Sequence, residues 1–227
     1  MDVHAPHQPI HGVKDFFLHL LTITVGLLIA VGIEGCVALH HEHTLVKEAR
    51  ASIREEIEHN VKAMTDAMKS IEGNKTEIKK DIDTLTNIQE HPKDKSLQNA
   101  DIKANFNIQG IHEAAWKTAQ STGALAYMPH QEVQRYTDIY EAHHTFLTQQ
   151  DKLLEDEAKF LGVMAKTNFG HGDITPEQTS AALEPLGVWL AHLSYLNLTA
   201  KLCLMSNQAF LEGKDAPSEL HEDLSGK

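Results

Sequence analysis

Residues Phe16 to Ile33, FFLHLLTITVGLLIAVGI, form a run of 18 without a charged side chain. At 1.5 Å per residue a helix of that length spans roughly 27 Å, close to the hydrocarbon thickness of a bilayer. Lys14 and Asp15 bound the run on one side and Glu34 on the other, and a weaker apolar character continues through Cys36, Val37, Ala38 and Leu39. A helix apolar all round needs either a large protein interior or lipid to cover it. The run therefore predicts a transmembrane helix over residues 16–39, preceded by a short tail at 1–15. Thr22 and Thr24 can bond back to the preceding turn, and His19 lies near one end, where a polar tip reaches the interface.

Two other readings of the segment stay open. As a cleaved secretory signal it would be long, since such apolar regions run about 7–15 residues; only Lys14 precedes it, and no A-x-A site follows. As a bacterial lipobox, Ile33-Glu34-Gly35-Cys36 would lipidate Cys36, but Glu34 stands where a small or apolar residue belongs. Gly26-x-x-x-Ala30 and Gly32-x-x-x-Cys36 are small-xxx-small spacings, which permit close approach of a second helix. Counting Lys47, Arg50 and Arg54 against Lys14 points the C-terminal domain toward the cytoplasm. A short tail ahead of a long domain is the signal-anchor layout. It favours the periplasmic side of a bacterial inner membrane.

Beyond the span, Ile57, Val61, Met64, Met68, Ile71, Ile78, Ile82 and Leu85 recur in steps of four and three, with Lys75 in one seam position. That is a heptad pattern with no proline before Pro92, and it predicts a long helix continuous with the span. Gly73-Asn74 could bend it, and His91-Pro92 ends it. A short helix is expected over Ile111–Ala126, carrying Trp116. Pro129 opens a longer helix whose seam is Val133, Tyr136, Tyr140, His143, Leu147, Leu154, Leu161 and Met164, flanked by Ile139, Phe146, Leu153 and Phe160. Thr175, Pro176 and Gln178 make a capping box for the last helix, with Leu183, Leu186, Leu190, Leu193, Ala200, Leu204 and Phe210 on its buried side. Pro185 should kink or split that helix. No stretch alternates with a β period. The fold class is all-α: a transmembrane helix running into a long helix that packs in an antiparallel helical bundle over 40–213, with a disordered tail at 214–227.

The formal charge of −12 leaves about −10 outside residues 1–39. An acidic domain without a Lys/Arg stripe repels phosphate backbones, so nucleic acid is excluded as a partner. Two cysteines, Cys36 and Cys203, give no disulfide framework. The 16 histidines raise metal binding. Glu56/His59 and Glu141/His144 have the Glu-x-x-His spacing of carboxylate-bridged bundles, but the heptad frame puts both pairs on flanks or outside. His40, His41 and His43 follow the span as a polar collar. No nucleophile elbow, metalloprotease motif or phosphate loop occurs. No catalytic residue, metal site or cofactor is therefore assigned. Trp116, Tyr136, Tyr140 and His143 are the candidates for lining a ligand pocket.

The span ending TITVGLLIAVGIEG, the following LVKEARASIREEIEHN and the later AAWKTAQSTGAL before a tyrosine-bearing helix resemble uncharacterised bacterial single-span membrane proteins with a helical domain. The resemblance covers roughly residues 10–165. It implies topology and supplies no site residues. The expected role is a non-enzymatic, membrane-anchored module whose partners are the lipid bilayer and either further copies or a membrane partner protein. An extracytoplasmic ligand-sensing bundle acting through a partner is one alternative. A metal-binding protein or enzyme using the histidines is another.

Overall fold

Every regular element in the computed structural model is helical. It describes residues 12–98, 102, 106, 107, 110–169 and 172–215. Helix α1 is Val13–Glu90, α2 is Ala114–Ser121, a 3-10 turn covers Ala124–Tyr127, α3 is His130–Lys166 and α4 is Pro176–Leu211. The all-α expectation holds, with no strand among the described residues.

The chain divides into two compact units at Glu48/Ala49. In the first, residues 13–48 belong to α1, and every side chain from 12 to 40 is exposed. The hydroxyls of Thr22 and Thr24 donate to the carbonyls of Leu18 and Leu20 at 2.8 Å, so these two polar groups are satisfied within the helix.

The second unit is a bundle of the rest of α1 with α3 and α4. From α1, Ile53, Ile57, Met64, Ile71, Ile78, Leu85 and Ile88 are buried, and Val61, Met68 and Ile82 are half-covered. Lys75 takes the polar position, its Nζ 3.0 Å from Glu72. The helix runs through Gly73-Asn74 without a break. Each fully buried large apolar side chain contributes about 1.5–3 kcal/mol, which outweighs one glycine's loss of about 1 kcal/mol in helix propensity.

The pairings His143–Asn207, Asp156–His192 and Phe160–Trp189 make α3 and α4 antiparallel. Arg50–Glu132 and Glu56–Tyr140 show α1 and α3 running the same way. The antiparallel arrangement expected from the sequence thus applies to α4 against α1 and α3, whereas α1 and α3 are parallel, and His112 already lies beside Asn60 of α1 before α3 begins.

Local details shift several expected positions. The helix expected over 111–126 is split: Gly123 has φ 77°, a left-handed conformation that stops α2 and leaves a separate 3-10 turn. Pro129 stands one residue before α3, in extended conformation. On α3 the buried line is Tyr136, Ile139, Tyr140, His143, Phe146, Gln150, Leu153, Asp156 and Phe160. Tyr136, Tyr140 and His143 of the expected seam are thus buried, but beyond them the flanking Phe146, Leu153 and Phe160 take the interior, Leu147, Leu154 and Met164 are half-covered, and Leu161 is 53% exposed. Pro185 does not split α4, which is continuous from Pro176 to Leu211. Ala182, Leu186 and Trp189 are wholly buried on either side of it, enough to offset roughly 3 kcal/mol for an interior proline. Thr175, Pro176 and Gln178 form the expected capping box. Residues 216–227, most of the expected tail, lie outside the described residues, as does His171.

Candidate functional site

The most elaborate polar arrangement in the bundle starts at Glu56. It was expected on the flank of α1, yet it is 8% exposed. Its Oε2 accepts the N–H of Ala115 at 2.8 Å, and its Oε1 accepts the Tyr140 hydroxyl at 2.6 Å and the Trp116 N–H at 3.4 Å. Ala115 and Trp116 are the second and third residues of α2, whose own cap residue Glu113 makes no side-chain cap bond. The first N–H groups of a helix have no partner within it and favour negative charge. Glu56 supplies both the acceptor and the charge from another helix, roughly 60 residues away in sequence.

One turn further along α1, Asn60 holds the strand of chain entering α2. Its Nδ2 donates to the His112 carbonyl at 2.7 Å and its Oδ1 accepts the His112 N–H at 2.8 Å. The side-chain amide thereby satisfies both polar groups of one backbone residue. The His112 ring stacks on His59 with centroids 4.2 Å apart. Glu56 and His59 consequently point to different partners, one into the bundle and one to an exposed ring pair. Glu141 and His144 are both exposed on α3.

Trp116, Tyr136, Tyr140 and His143 are brought into one cluster. Trp116 stacks on Tyr140 at 5.1 Å and 5°, and lies 6.2 Å from Tyr136. Tyr140 meets His143 edge-on at 5.1 Å, and Tyr136 meets Phe210 at 5.3 Å. The His143 Nε2 is 3.0 Å from Asn207 Oδ1. His143 Nδ1 and Asn207 Nδ2, both buried, have no hydrogen-bond partner among the described residues. Burial pushes His143 below its ordinary value, so its ring is neutral at physiological pH. Burial and the neighbouring Glu56 carboxylate push Tyr140 up, and burial with Glu132 pushes Tyr136 up to about 12. Both phenols stay protonated and act as donors. Glu132 in turn forms a bidentate pair with Arg50, 2.7 Å for each bond, and is held below its ordinary value by it.

Of the four aromatic candidates, Tyr136 also borders an open cleft of about 740 Å³ with Pro129, Glu132, Arg135 and Phe210. Arg135 lies over the Phe210 ring at 5.8 Å. The cleft is therefore amphipathic, with the Arg135 guanidinium and the Glu132, Asp138 and Asp215 carboxylates beside an aromatic wall. Chemically the Glu56 cluster is a clamp: its carboxylate is engaged by three donors, and each phenol donates to a carboxylate far less basic than a phenolate, Tyr140 to Glu56 and Tyr136 to Glu132.

A separate buried carboxylate, Asp156, lies 2.5 Å from His192 Nδ1 and 3.6 Å from Lys159 Nζ. His40, His41 and His43 are exposed. Among the described residues no group of three or more His, Cys, Asp or Glu is placed to hold a metal ion. Sequence reasoning missed Glu56, Asn60, Asn207 and Asp156, because each is made structural by a partner far away in the chain. Comparison with protein-family models, curated proteins and solved structures finds no match.

Proposed function

We propose that the protein is a non-enzymatic, membrane-anchored helical module that acts by oligomerising or by binding a membrane partner. The observation that carries this reading is the first part of α1: its most apolar 18-residue window has no buried residue, and it is the one helix among the described residues long and apolar enough to cross a membrane. Water would charge such a surface several tens of calories per Å² exposed, and lipid removes that cost. The clamp around Glu56 fits the same reading, since it fixes α2 and presents no reactive group. In this reading the bundle lies on the periplasmic side of a bacterial inner membrane, since a long domain translocates largely regardless of the charges flanking its span.

Sedimentation of the full chain in detergent, with chemical crosslinking in membranes, tests the role. Defined oligomers or a crosslinked partner are expected. A strict monomer with no crosslinked species contradicts it. A second reading, a ligand-sensing bundle, is favoured by the amphipathic cleft at Tyr136, Arg135 and Phe210. Ligand-dependent thermal shifts that vanish in Arg135→Ala would support it; none across a broad small-molecule panel would count against it.

A further inference from the structure

Helix α4 carries two apolar stripes, and only one of them faces the bundle. Ala182, Leu186, Trp189, Leu193, Leu196, Ala200 and Cys203 are buried toward α1 and α3. Val188, Ala191, Tyr195, Leu198, Leu202, Met205 and Ala209 form the other stripe, in alternating steps of three and four. At 3.6 residues per turn its centre lies roughly 160° around the helix from the buried line. Val188 and Tyr195 are 44% and 46% exposed, Ala191 is exposed, and the rest are half-covered. Leu183, Leu190 and Leu204, which pack against the core, sit on the opposite flank.

We propose that this outer stripe of α4 is a self-association seam that pairs with the same stripe of a second copy. The proposal rests on the oligomerising reading above and names its surface and its partner. Three observations favour a second copy. The three-four spacing is that of a coiled-coil seam, which is complementary to itself. Gly187 and Ser194 on one edge are small and let a second helix approach. Most decisive is charge. The chain carries 32 Asp and Glu against 20 Lys and Arg, yet no acid occurs between Glu184 and Glu212, and Lys201 is the one Lys or Arg there. A basic partner would choose the acidic faces of α1 or α3. Two copies, each at −12, meet without facing carboxylates along this stripe.

From Val188 to Ala209 the seam is roughly 31 Å long, and two helices paired over that length bury on the order of 1,000 Å², the lower edge of a specific interface. Association should therefore be micromolar, and confinement of both copies to one bilayer would raise it.

The full chain in detergent is to be measured by light scattering across a concentration series. A monomer–dimer equilibrium is expected, weakened about 100-fold or more by Leu202→Glu, which sets like charges face to face. Circular dichroism melts confirm that the variant still folds. A second measurement does not depend on disrupting the seam. Leu198 stands at its midpoint, so it meets its own copy whether the helices pair parallel or antiparallel. Leu198→Cys in a Cys36→Ser background should form a disulfide-linked dimer on mild oxidation, and the background alone should not. A dimer that survives Leu202→Glu, with no Leu198→Cys crosslink, overturns the seam but leaves the oligomerising role standing. A monomer that crosslinks to a different protein also overturns the seam and leaves partner binding standing. A monomer with no crosslinked species overturns both.

Discussion

Replacing Glu56 by alanine removes one acceptor group shared by two helices. The Tyr140 hydroxyl at 2.6 Å and the Ala115 N–H at 2.8 Å would each lose a short bond to a buried carboxylate. A buried donor left without a partner costs about 1–3 kcal/mol, so the pair predicts a loss of about 4 kcal/mol. The 3.4 Å contact to Trp116 adds little. For a chain of this size each kcal/mol lowers the melting temperature by about 2–4 °C, so a fall of about 8–16 °C is expected. Glu56→Gln keeps the volume and one acceptor oxygen, and should cost about 1–2 kcal/mol. The assay is urea denaturation of the full chain in detergent, followed by far-ultraviolet circular dichroism for helix content. Near-ultraviolet dichroism follows the Trp116–Tyr140 stack. A double-mutant cycle of Glu56→Gln with Tyr140→Phe should show a coupling of about 1 kcal/mol or more. A loss below about 1 kcal/mol for Glu56→Ala, or strict additivity in the cycle, would refute the clamp.

Three further outcomes follow from the same geometry. Burial lowers the folded-state pKa of His143 from 6.5; the unfolded chain then takes up a proton first, so stability should fall as pH drops below 6.5 and level off once the folded ring protonates. His143→Gln should flatten that dependence of the urea midpoint, and an unchanged slope would rule the imidazole out as its source. Tyr136, raised from 10.0 to about 12, and Tyr140, also raised, give stability that is complete below pH 10 and lost as pH climbs through the folded values. Their phenolate absorbance should therefore appear together with unfolding, and the Tyr136→Phe/Tyr140→Phe double variant should lack that late step. Thr175→Ala removes the capping hydroxyl that accepts the Gln178 N–H and should cost about 1 kcal/mol by chemical denaturation.

What the sequence revealed was what neighbours in the chain decide. The capping box at Thr175, Pro176 and Gln178 is complete within four residues, and the back-bonding of Thr22 and Thr24 within one turn. The apolar line of α1 was legible for the same reason: its residues are its own periodic record. The register of α3 beyond His143 was not. Its two stripes are equally apolar, and the choice between them depends on Gln150 and Asp156 being accepted into the interior, with Asp156 bonded to His192 on α4. Glu56 looked like a solvated flank because its three donors come from residues 59 to 84 positions away. Trp116, Tyr136, Tyr140 and His143 could be chosen as aromatic and polar residues on apolar faces, but their convergence required α1 and α3 to run the same way. Gly123, at φ 77°, ends α2 where the run of small and apolar residues on both sides of it reads as one helix.

The measurement that tests the account most directly is extraction of membranes bearing the full chain at alkaline pH, with the N-terminus of the recovered protein read by mass spectrometry. Peripheral proteins are released by that treatment and spanning helices are retained. The account predicts full-length chain in the membrane pellet, released only by detergent, and loss of pelleting when residues 16–39 are deleted. Recovery of the chain in the supernatant, intact or shortened by cleavage within or just after residues 16–39, would contradict it.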